Sequence, residues 1–96
     1  MVYFTLSDDT PERQQSLVDD CHRYLAKHPG VVHFSAGLRG AAFTRPVNDQ
    51  TFHVALVVVF DSQQSHDDYQ AHPQHVEFIE RNKANWKQVR VFDAMV

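Results

Sequence analysis

The chain has 96 residues, 43% of them hydrophobic and 22% charged, and a net charge of −3 with its seven histidines neutral. That supports one ordinary globular domain, and its mildly acidic balance argues against nucleic acid or an anionic membrane surface as a partner. The longest apolar run, Val54 to Phe60, falls far short of the roughly 20 residues that span a bilayer.

Val2 to Leu6 is rich in β-branched and aromatic residues and predicts a first strand. Thr10 as a cap and Pro11 at the first helical position predict a helix start. Leu17, Cys21, Tyr24, Leu25 and His28 then recur at helical spacing, and Pro29-Gly30 ends the run. Val31 to Leu38 predicts a second strand, Gly40 to Gln50 a loop, and Thr51 to Phe60 a third strand. Ser62 caps a short polar helix through Ala71. Pro73 opens another helix to about Trp86, with Val76, Ile79 and Trp86 among its apolar positions and Glu77 and Arg81 spaced for an ion pair. Val89 to Ala94 predicts the last strand. The order β-α-β-β-α-β predicts an α+β fold, a ferredoxin-like subunit with one antiparallel four-stranded sheet.

The third strand is apolar on both sides. Phe52, Val54, Leu56, Val58 and Phe60 alternate with His53, Ala55, Val57 and Val59. A sheet wet on one face alternates apolar with polar residues, and soluble monomers rarely leave a large apolar patch open. The pattern predicts a homodimer through the sheet face.

The segment Tyr69-Gln70-Ala71-His72-Pro73-Gln74-His75 places a phenol and two imidazoles around a helix-breaking proline. His75 falls in the first turn of a helix, where the positive dipole end disfavours an imidazolium. A neutral imidazole facing a phenol can act as an acid–base pair; the same two rings can equally be ordinary packing. His72 and His75, three residues apart with Asp67 and Asp68 nearby, lack a dependable third ligand, so no metal site is expected. Arg45 can clamp an anionic group, or pair with Asp49 in a loop shaped by Asn48 and Asp49. Cys21 sits on the apolar stripe of the first helix and reads as a small buried hydrophobe. One cysteine, and no basic-then-apolar leader at Met1 to Asp9, point to a cytoplasmic setting.

Several stretches together carry a family resemblance: the element order, Val54 to Phe60 followed by Asp61-Ser62, the Tyr69-to-His75 segment, and Val89-Arg90-Val91-Phe92-Asp93. The chain resembles the stress-responsive α/β-barrel, or Dabb, family over nearly its full length. The resemblance implies a dimeric α+β barrel with two sheets facing each other. One branch, similar to the plant polyketide cyclase olivetolic acid cyclase, closes a linear polyketide by aldol condensation without metal or cofactor. Its reacting tyrosine and histidine match Tyr69 and His75. That branch also has a histidine on its first strand, where this chain reads Met1-Val2-Tyr3-Phe4-Thr5-Leu6.

Three functions follow as expectations. The first is a stress-related barrel of unassigned activity that binds a small apolar ligand between helices and sheet, lined by Tyr24, Tyr69, His72, His75, Phe78, Ile79 and Trp86. The second is a cofactor-independent cyclase or isomerase with His75 as base and Tyr69 as donor. The third is a small cofactor-independent monooxygenase.

Overall fold

The structure is a computed structural model describing residues 1–96. Strand β1 (Val2–Leu6) leads into helix α1 (Pro11–Leu25), then β2 (Val31–Leu38) and β3 (Val54–Phe60). Helices α2 (Gln63–Ala71) and α3 (Pro73–Asn82) follow, then a 3₁₀ turn at Lys83–Asn85 and strand β4 (Trp86–Val91). The sheet order is β2-β3-β1-β4, with every neighbouring pair antiparallel. This is the ferredoxin-like arrangement read from the sequence.

Local chemistry sets the element ends. The Thr10 hydroxyl accepts from the Arg13 amide at 3.3 Å, and Pro11 takes the first helical position. Asn85 joins the exit of β1 to the entry of β4: its side chain accepts from the Asp8 amide at 2.7 Å and donates to the Asp8 carbonyl at 2.9 Å. At the start of β2, Gly30 has φ of +85°, and its carbonyl accepts from the Asp61 amide at 2.8 Å. A Cβ at Gly30 would come within 2.1 Å of the Ser65 hydroxyl oxygen. Only glycine fits both the backbone angle and the space.

Four predicted boundaries move. Helix α1 stops at Leu25, not His28; the His28 ring turns back and its Nε2 donates to the Tyr24 carbonyl at 2.9 Å, satisfying the last turn. Strand β3 begins at Val54 because Thr51 is tied to Asp49 through both amide and hydroxyl. Trp86 is not helical but opens β4, opposite Leu6. Strand β4 ends at Val91, not Ala94, because its partner β1 begins at Val2; only Met1 continues the pairing, exchanging two backbone hydrogen bonds with Phe92 at 2.8 Å. The expected Glu77–Arg81 pair also gives way: Arg81 Nε meets Asp20 at 3.5 Å instead, joining α3 to α1.

The register sorts the sheet faces. Phe4, Leu6, Val54 and Leu56 point to the helices, while Tyr3, Gly37, Ala55, Val57 and Val59 lie on the outer face. Only 12 of 96 residues are buried, and all 12 belong to the helix side. The core is therefore one layer, between α1, α2, α3 and one face of the sheet.

Gly30→Ala should destabilise the fold by about 1–3 kcal/mol, seen as a lower urea midpoint, since alanine meets both the strained φ and Ser65.

Candidate functional site

Pro73 creates the site. It ends α2 at Ala71 and leaves His72 extended, with φ −67° and ψ 138°, before α3 begins. The His72 ring caps the new helix, its Nδ1 accepting from the Gln74 amide at 3.1 Å. An accepting nitrogen carries no proton, so the cap uses the bare Nδ1 of the ring. The break also folds the last turn of α2 onto the first turn of α3. The Tyr69 and His75 rings then meet, with centroids 4.6 Å apart at 56°.

Aromatic edges surround this pair. His28 reaches Tyr69 at 4.9 Å and His72 at 4.5 Å, and Phe60 reaches Tyr69 at 5.0 Å. Tyr69 is 6% exposed. Burial, reinforced by nearby Cys21, pushes its phenol well above the ordinary tyrosine range, so it stays protonated. His75 is half-buried, and its pKa is lowered chiefly by burial; His28 and His66 add to the shift and the Gln70 backbone opposes it. The sequence argument credited the helix dipole, but burial is the main cause. His75 Nδ1 is buried with no hydrogen bond of good geometry, the Gln70 backbone being the polar group that acts on the ring. A buried polar atom left unpaired costs about 1–3 kcal/mol and asks for a functional explanation. At neutral pH the cluster offers a hydroxyl that can donate beside an imidazole that can accept.

With that geometry in view, likeness to known proteins is informative. The profile of the Stress responsive A/B Barrel Domain, Dabb, matches residues 1–96. The chain belongs to the Dabb family. A solved structure from Arabidopsis thaliana superposes with a TM-score of 0.80 at 21% identity, covering 99% of this chain and 90% of that one. A Dabb family protein with a ferredoxin-like fold from Mesorhizobium loti gives 0.74 at 26% identity, covering 93% and 85%. A dimeric ferredoxin-like protein of unknown function from Thermobifida fusca gives 0.73 at 17%, covering 93% and 80%. No curated protein matches the sequence.

Within this Dabb subunit the residues singled out by sequence divide into groups. Tyr69, His72 and His75 come together, joined by His28, which the sequence reading left unassigned. Phe78 and Trp86 meet at 5.9 Å and enclose Phe4, forming a second aromatic group; Ile79 packs against the same core. Trp86 Nε1 is a further buried atom without a partner. Tyr24 has different neighbours, the guanidinium groups of Arg23 and Arg81 at 5.2 and 5.4 Å from its ring. Arg45 is exposed and does not pair with Asp49; its amide donates to the Asn48 side chain at 3.1 Å, while Asp49 holds Arg90 and Thr51. Cys21 is fully buried, and burial raises its thiol to about 12, which keeps it protonated and unreactive. The inward residues of β1 are apolar, so no imidazole enters the cluster from that strand. No group of three or more His, Cys, Asp or Glu side chains stands close enough to hold a metal ion.

The lowered His75 pKa has a pH consequence. The unfolded chain binds this proton near the ordinary value of 6.5, and the folded chain binds it only at lower pH. The stability this group contributes is full above that value and is lost as pH falls through the window beneath it. The melting temperature should therefore fall as pH is lowered below about 6.5, and fall less in His75→Phe, as followed by thermal denaturation.

Proposed function

We propose that the protein binds a small, largely apolar carbonyl compound against Tyr69 and His75. The observation that carries this reading is the unpartnered, buried His75 Nδ1 beside a phenol held in its protonated form. A ligand carbonyl can accept from the Tyr69 hydroxyl while an acidic carbon–hydrogen bond faces the imidazole. This supports proton abstraction next to a carbonyl, the step shared by cofactor-independent cyclases and isomerases. The helix side remains closely filled, with Tyr69 and Phe78 buried, so a ligand approaches along the half-exposed His72 and His75. Deuterium exchange into the methylene of 1-phenylbutane-1,3-dione is a direct measure of such chemistry. Wild type should accelerate it, and His75→Ala should lose about a hundredfold or more of the acceleration, as expected for a missing general base. Exchange unchanged in His75→Ala would rule out this role.

The protein acts in this reading as a homodimer closed sheet against sheet. The Thermobifida fusca neighbour is described as dimeric. Here the outer face carries Ala55, Val57 and Val59 in a row, and none of its residues is buried in the lone subunit. A Cβ added at Gly37 would meet nothing within 4 Å, so that face has room for a close neighbour. Covering this apolar row gives the driving force for association. Val57→Arg should convert the dimer to a monomer in sedimentation while leaving the far-ultraviolet circular dichroism intact, since Val57 lies outside the helix-side core.

A further inference from the structure

A cleft of about 390 Å³ opens at one end of the outer sheet face, away from the Tyr69–His75 cluster. Its apolar lining is Met1, Tyr3, Phe43, Val47, Phe52 and Phe92. Tyr3 organises the floor, meeting Phe52 edge-on at 4.9 Å and Phe92 at 5.9 Å. The Phe43 ring lies over Gly40, where a Cβ would come within 2.4 Å of it. Glycine at that position lets the loop lay an aromatic wall on the cleft. The volume lies in the range of small-molecule sites, and an apolar lining with few polar groups is their usual composition.

The charges decide what fits. Arg39 and Arg90 are the cationic side chains of the lining, and Asp49 is its anion. Asp49 is already committed to Arg90 and Thr51. Arg39 has no such partner, and its Nη1 is buried without any hydrogen bond. A guanidinium nitrogen withdrawn from water and left unpaired is costly, and a carboxylate is its best complement in shape and charge. The Tyr3 hydroxyl has only a soft contact, to the Met1 sulfur at 3.7 Å, and is free to donate as well. One uncompensated positive charge among aromatic rings selects a monoanion with a hydrocarbon body.

We propose that this cleft binds a small organic carboxylate, with Arg39 as the anchor for the anion and Phe43, Phe52 and Phe92 around the apolar part. The site is built by one chain and does not rest on the acid–base reading of His75. It lies at one end of the face assigned to the second copy, so closure of a dimer would shield it further.

Titration calorimetry with 4-phenylbutyrate and its neutral analogue 4-phenylbutan-1-ol tests the site. The acid should bind wild type about tenfold more tightly than the alcohol, reflecting charge-assisted hydrogen bonds. Arg39→Gln should erase that preference while leaving the alcohol unaffected. Phe43→Ala should weaken both, and His75→Ala neither. Equal binding of acid and alcohol to wild type, or no binding of the acid, would overturn the proposal. Sedimentation of Arg39→Gln separates the remaining occupant: a dimer lost with the preference intact would assign the guanidinium to a carboxylate of the partner copy, against the proposal.

Discussion

The arrangement depends on a central strand that is apolar on both faces while the helices cover only one. Val54 and Leu56 are sealed beneath α1, whereas Ala55, Val57 and Val59 on the same strand face outward. A strand of this kind leaves an apolar row in water unless another surface covers it. The sequence of β3 thus carries, beyond its folding pattern, the apolar row on which the proposed sheet-to-sheet pairing rests. It also explains how a chain of this length manages with so few buried residues in the single subunit. The outer apolar row stays outside the single subunit's core.

The helix side shows how one backbone constraint generates a chemical environment. Proline at position 73 cannot continue α2, so the chain turns and restarts. The turn needs a new cap, and His72 supplies it with a neutral ring nitrogen. The restart brings Tyr69 and His75 into contact. Burial then acts on the two rings in opposite directions, raising the phenol and lowering the imidazole. Both shifts favour uncharged forms, for the single reason that charge is poorly solvated there. A proton donor and a proton acceptor side by side result without any metal or fixed charge.

The outer face has a different character. Its apolar row of Ala55, Val57 and Val59, bordered by Ser35 and His33 of β2, suits a protein surface. The cleft at its end is concave and carries an unpaired guanidinium, which suits a small anion. The Gly40–Gln50 loop makes the difference, because it brings Phe43 and Val47 over the sheet beside Arg39. Asp49, in the same loop, neutralises one arginine and leaves the other free.

Much of this was legible in the residues themselves. The two apolar sides of β3, the cap at Thr10 and the break at Pro73 depend on neighbours in sequence, and each acted as expected. Element ends that depend on distant partners were not legible. Trp86 leaves the helix because Leu6 pairs with it, and β4 stops where β1 runs out. The same holds for charges: Arg81 prefers Asp20 and Arg90 takes Asp49, although nearer partners in sequence existed. Tyr69 and His75 were recognisable because six positions and one proline separate them. His28 joins them only because α1 ends beside that turn. Local backbone chemistry therefore established the elements, the two-sided strand and the phenol–imidazole pair. Long-range packing alone decided which polar atoms remain without partners, since burial and pairing are properties of the folded neighbourhood.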